Sequence, residues 1–220
     1  MQLCAITDRR LLGNPNPPDA RPNEAILRHR LLTLIQGWSD GGVPFIQLRE
    51  KDLDAAELQS LAQEIMTRII GNRSRLLVNI PAPGAASLAV AAGADGVHLA
   101  GKPVQGAAAG VRQAFGASGR QAIVSVPCHS REDIDLARKE QVDMILFSPV
   151  FEKLSAPREV SEPQGLEALR EACAAAQGIP VFALGGVSAA NASACIAAGA
   201  AGVAGIRVFT TDDWRLLKGS

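Results

Sequence analysis

Two glycine-bearing turns late in the chain have the makings of an anion site. The run PVFALGGVS closes on Gly185-Gly186, with Ser188 placed to open a helix, and the run GVAGIRVF offers Gly205-Ile206. Glycine lets the backbone approach a bound group closely, and amides at a helix start point toward negative charge. Arg207 adjoins the second turn, where it either adds a positive charge or points outward. Earlier, Gln47, Arg49 and Lys51 alternate within FIQLREK. A period of two places all three on one face of a strand, and two cations with an amide suit an anionic ligand. A surface charge pairing with Glu50 is the alternative. Asn79 ends the run LLVN, where its amide can bond a ring or a phosphate, or serve as a buried structural group.

Proton transfer near neutral pH calls for histidine. His29 lies in a basic helical stretch and reads as surface, whereas His98, inside GVHLA, reads as a core or mouth-lining residue. His129, in VPCHSRED, follows a β-rich run at a helix start and is the candidate proton carrier. Cys128 precedes it, but a thiol without a partner is weak as a nucleophile.

These residues need a frame that gathers strand ends. Strand-like runs occur at Leu3–Thr7, Phe45–Arg49, Leu76–Ile80, Gly96–Leu99, Ala122–Val126, Met144–Phe147, Pro180–Leu184 and Gly202–Val208. Helical patterns separate them. In Asp54–Ile70, for example, apolar residues fall at 58, 61, 62, 65, 66 and 69. Such alternation predicts an α/β fold, a single (β/α)8 TIM barrel over residues 1–220, rather than a doubly wound sheet. The segments AAGADGVHL (91–99) and AAGAAGVA (197–204) echo each other half a barrel apart. Leu11–Asn23, with four prolines, reads as a loop, and residues 152–163 as a polar loop over the mouth, either a lid candidate or a solvated loop without function.

The formal net charge is zero and no Lys/Arg-rich run occurs, so neither nucleic acid nor an anionic membrane is an expected partner. Aromatics are 4% with no Tyr, which does not suit base stacking. The four cysteines form no CxxC pair, and no apolar run reaches the ~18 residues of a membrane span. With no signal-like start, the expected location is cytoplasmic.

Taken in order, AITD, FIQLREK, the Asn of VNI, ADGVHL, CHSRED, FSPVF and IPVFALGGV resemble the thiamin phosphate synthase/TenI superfamily over nearly the whole chain. The resemblance implies one of two activities. A synthase joins a hydroxymethylpyrimidine diphosphate to a thiazole phosphate with Mg²⁺. A TenI-like thiazole tautomerase moves a proton on a thiazole carboxylate phosphate and needs no cofactor. The pyrimidine or diphosphate end would lie at Gln47, Arg49, Lys51 and Asn79, and the thiazole phosphate at Gly185, Gly186, Gly205, Ile206 and Arg207. Barrels of this family often pair, so a homodimer is possible.

Departures from the synthase pattern shape the expectation. Ile80 and Pro103 stand where a synthase carries magnesium-binding aspartates, Pro127 replaces a serine, and EKLSAPREV lacks the loop lysine. A hard cation needs charged oxygen ligands, so no metal site is expected. A histidine at the position of His129 matches the TenI-like branch. The leading expectation is therefore a thiazole tautomerase with His129 as proton carrier. A thiamin phosphate synthase and a non-catalytic ligand-binding protein are the alternatives.

Overall fold

The computed structural model describes residues 1–13, 23–152 and 162–219. Eight parallel strands close into one barrel in chain order: β1 (Gln2–Ile6), β2 (Phe45–Leu48), β3 (Arg75–Ile80), β4 (Gly96–Leu99), β5 (Ile123–Cys128), β6 (Met144–Phe147), β7 (Val181–Ala183) and β8 (Gly202–Gly205). The helices between them are α1 (Glu24–Asp40), α2 (Ala55–Ile69), α3 (Ala86–Ala91), α4 (Ala107–Gly116), α5 (Arg131–Lys139), α6 (Gly165–Ala175) and α7 (Ala192–Ala197). After β8 the chain turns through short 3-10 segments, Arg207–Phe209 and Asp212–Gly219. The strand expected to run to Val208 therefore stops at Gly205.

Side-chain alternation divides each strand between two cores. Outward residues such as Ile46, Leu48, Val78, Val97 and Val124 pack under the helices. Inward residues Cys4, Ile6, Leu77, Met144, Leu146, Phe182 and Ala204 fill the barrel. Phe45 and Phe182 meet edge to face inside it at 5.8 Å. The helices obey their own periodicity. On α2, Leu61, Ala62, Ile65 and Ile69 form the buried stripe, while the Asp54 carboxylate accepts from the Glu57 amide at 2.8 Å and Glu57 reaches back to the Asp54 amide. The C-terminal segment is tied to α1. The Trp38 indole N–H donates to the Phe209 carbonyl at 3.1 Å, and Phe209 stacks on Trp214.

The sequence echo has a packing cause. Gly96 and Gly202 each start a strand where a Cβ would collide with the neighbouring strand's backbone, at Ile123 and Gln2 respectively. Equivalent close approaches at β4 and β8 demand the same residue twice.

Candidate active site

Every candidate residue lies at or just past the C-terminal end of a strand, the face on which (β/α)8 barrels assemble their sites. The mouth has two differently built sides.

On the β7–β8 side, backbone makes the site. Gly185 and Gly186 both have positive φ, 96° and 64°, which glycine alone adopts without strain. Protein neighbours also require them. A Cβ on Gly185 would stand 2.8 Å from Pro149, and one on Gly186 would stand 2.5 Å from the Glu152 carbonyl oxygen. The loop after β6 backs this turn, with the Val150 and Phe151 amides donating to the Leu184 and Gly185 carbonyls at 2.9 and 3.0 Å. The amides of Gly185, Gly186, Val187 and Ile206 donate to no other described residue. N–H groups without a partner among the described residues, at two neighbouring strand ends, are suited to an anion. The expected helix start at Ser188 is displaced: α7 begins at Ala192, and the Ser188 amide is bound to the Asn191 side chain at 2.8 Å. Arg207 is exposed in the 3-10 turn, and Gly205 is buried where a Cβ would meet Val208 at 2.7 Å.

On the β2–β5 side, side chains make the site. Strand register aligns Asn79 with His98 and His98 with Ser125, and Arg49 follows Leu48 one step beyond its pairing with Val78. Alternation turns all four inward. Burial deepens along the row, from half-buried Arg49 and Asn79 to His98 at 5% exposure and Ser125 at 0%. Neither the Arg49 guanidinium nor the Asn79 amide has a side-chain partner among the described residues. Gln47 sits below the row. It is buried at 2% exposure, and its Oε1 accepts no hydrogen bond among the described residues. The strand ends at Leu48, so Lys51 lies exposed in the following turn rather than on the strand face.

Electrostatics still groups these cations. The Lys51 ammonium is pushed down chiefly by Arg49, then by burial and by Arg10. Burial lowers Arg49, Asp8 opposes that, and Arg10 adds to it. Arg10, fixed by two 2.9 Å bonds to Asp8, thus joins Arg49 and Lys51 at the rim. Sequence reasoning did not single out Arg10 as a site residue. Its place directly after the β1 end, in ITDRR, was the available signal.

Glu50 does not pair with these cations. It is taken by Arg9, whose backbone amide and guanidinium both bond its carboxylate at 3.1 Å. Arg9 also binds Asp52 at 2.9 and 3.0 Å and Glu24 at 3.1 Å. Burial works against the Arg9 charge, but its bonds to Asp52, Glu50 and Glu24 outweigh that and raise its pKa.

His129 lies between β5 and the Ser130 cap of α5. Its ring Nδ1 is 2.6 Å from the Ser148 carbonyl oxygen. A carbonyl only accepts, so Nδ1 carries the proton and Nε2 of the neutral ring keeps a lone pair. The side chain is exposed, and its amide donates to Asp133 at 2.8 Å. Cys128 is buried, its thiol raised to about 12 by burial and by Asp133, so it is no thiolate nucleophile. His29 is exposed on α1, as expected. Of the lid candidate at 152–163, residues 153–161 lie outside the described residues, as do residues 14–22 of the first loop.

The magnesium that accompanies a synthase does not fit the residues here. Ile80 is buried against the outer core. Glu50 is committed to Arg9, and Asp95 precedes β4 at the opposite end of the barrel, bound to Arg75 and the Leu76 amide. Glu152 is exposed. No group of three His, Cys, Asp or Glu side chains converges among the described residues. No helix among them is long and apolar enough to cross a membrane.

Comparison with known proteins identifies the family. A family model described as thiamine monophosphate synthase (TMP-TENI) matches residues 21–209. A Geobacter sulfurreducens protein provisionally named thiamine-phosphate synthase is 40% identical over 210 residues, covering 96% of this chain and 87% of that one. A Leptospira biflexa thiamine-phosphate synthase is 32% identical over 178 residues, covering 79% of this chain and 80% of its own. Among solved structures, thiamine phosphate pyrophosphorylase from Pyrococcus furiosus superposes with a TM-score of 0.73 at 22% identity, covering 99% of this chain and 96% of that one, a likeness of fold. The chain belongs to the thiamin phosphate synthase/TenI superfamily.

Proposed function

We propose that this protein is a transferase that joins a pyrimidine diphosphate to a thiazole phosphate, giving thiamin phosphate and pyrophosphate. The observation that carries the reading is a mouth with two anion subsites of different construction. Four amides with no partner among the described residues stand at β7–β8, and the cations Arg10, Arg49 and Lys51 stand at β1–β2. Two phosphorylated substrates need two such places. The names of the relatives point the same way, and they displace the tautomerase as the leading reading.

In this scheme Gly185, Gly186 and Ile206 hold the thiazole phosphate. Arg49, Lys51 and Arg10 take the diphosphate. The carbon–oxygen bond between the pyrimidine methylene and the diphosphate breaks, the thiazole nitrogen attacks that methylene, and pyrophosphate leaves with the bonding pair. Charge developing on the leaving group is what a preorganised cation cluster stabilises. Arg10, Arg49 and Lys51 are this chain's groups for that task, as no carboxylates converge among the described residues.

The test is formation of thiamin phosphate by the purified protein from both substrates, with and without Mg²⁺. No product under either condition overturns the reading. A specific observation favours the tautomerase as a second reading: the Ser148 carbonyl orients His129 with Nε2 free to take a proton. Proton exchange on the thiazole carboxylate phosphate, lost in His129→Ala, would establish that activity instead. Thiazole phosphate binding with neither turnover leaves a ligand-binding protein.

A further inference from the structure

His98 is the one buried imidazole, and nothing in the reaction above uses it. Its Nδ1 lies 2.9 Å from the Ser125 hydroxyl. Ser125 is fully buried, and His98 is the only hydrogen-bond partner of its side chain among the described residues. Two proton arrangements satisfy that distance. If Nδ1–H donated to the hydroxyl, the serine proton would be sealed in the barrel with no acceptor, at a cost of about 1–3 kcal/mol. If the hydroxyl donates to Nδ1, both groups are satisfied. The second arrangement leaves the ring proton on Nε2, which points away from Ser125 and makes no hydrogen bond to any described residue.

We infer that His98 is a fixed neutral donor, its Nε2–H presented to the substrate's heterocycle to hold a ring nitrogen or a carbonyl oxygen without transferring a proton. The inference rests on the synthase reading for the identity of the heterocycle, and on the Ser125 contact for the donor itself. The neighbours support a ring that stays neutral. Arg49 just past β2 is the charge that acts on it, Asn79 on β3 and Ser125 on β5 are neutral, and burial followed by Arg49 lowers the imidazole to about 3. A neutral donor beside a cation binds an acceptor while leaving the diphosphate charge to Arg49 and Lys51. His98 is therefore a positioning residue that sets which heterocycle enters and how it is turned.

The test has two parts. Imidazole nitrogen NMR of the ligand-free protein should show His98 as the Nε2–H tautomer, unchanged from pH 5 to 8, with Ser125→Ala releasing the tautomer preference. Calorimetric binding of thiamin phosphate should weaken about tenfold or more in His98→Leu. It should stay within about threefold of the parent in His98→Gln, whose amide N–H replaces Nε2–H. Binding of inorganic pyrophosphate should be unchanged in both variants. A ring that titrates between pH 5 and 8, an Nδ1–H tautomer, or a folded His98→Leu that binds thiamin phosphate as the parent does would each overturn the inference. If the parent binds pyrophosphate but not thiamin phosphate, the synthase reading fails. The ligand-free spectrum still decides the state of His98.

Discussion

The two sides of the mouth recognise ligands by different means. The β7–β8 side offers backbone amides held by glycines at positive φ, whereas the β2–β5 side offers a row of inward side chains. A turn of backbone amides belongs to the fold, and substitution can reach it only where a side chain replaces one of its glycines. A side-chain row can be rewritten one residue at a time. The departures from the synthase pattern follow that division. Ile80, Pro103 and Pro127 lie at or beyond the ends of β3, β4 and β5, while both glycine turns are retained.

Four experiments press on this contrast. The largest effect concerns acid. In the folded chain His98 stays neutral down to about pH 3, whereas an unfolded histidine titrates near 6.5. Between those values the unfolded state binds the extra proton, so stability is full above pH 6.5 and falls as pH drops. Urea unfolding at pH 7 and pH 4 should show a loss about 3–4 kcal/mol greater for the parent than for His98→Gln. Equal losses would mean the side-chain row is more open to water than its burial indicates.

Gly186→Val should abolish thiazole phosphate binding and cost about 2–3 kcal/mol, because φ is positive and Phe151 and Glu152 fill the space. Thermal melts and calorimetry read both. A variant that folds and binds normally would remove the backbone cradle from the scheme.

Arg49→Met separates function from folding. Pyrophosphate affinity should fall about 10- to 100-fold, as expected for a lost charge-assisted contact. Stability should hold or rise slightly, since burial works most strongly against the native guanidinium, which has no side-chain hydrogen-bond partner among the described residues. The smallest effect is that of Asn79→Ala. It should weaken substrate binding about fivefold, equivalent to one modest hydrogen bond, and leave the urea midpoint unchanged. A drop in the midpoint would show Asn79 to be a structural amide.

The barrel was legible because period-two strands and 3.6-residue helical stripes alternate eight times, and α2 carries its stripe at Leu61, Ile65 and Ile69 as read. The Gly185-Gly186 turn was legible because few residues other than glycine adopt positive φ. The polar side was read less well. Counting by twos placed Gln47, Arg49 and Lys51 on one surface, but the strand ends at Leu48, leaving Gln47 sealed inside and Lys51 in a turn. Where a strand stops depends on its neighbours, which local pattern does not contain. Glu50 looked like a partner for these cations, and only the tertiary fold brings Arg9 to it from 41 residues away. His98 and Ser125 are 27 residues apart and meet through register alone.

The short run from Ser148 to Glu152 touches both working parts of the mouth. Its carbonyl at 148 accepts from His129, and its amides at 150 and 151 grip the turn at 184–185. From the other side, Gln164 bonds the Ser148 and Pro149 carbonyls, and the Gly165 amide bonds that of Val150. Clamped on two sides, this run fixes the spacing between the imidazole and the glycine turn. Under the tautomerase reading that spacing would measure a ligand by length as well as by charge, since one a bond too long or too short would meet only one of the two ends.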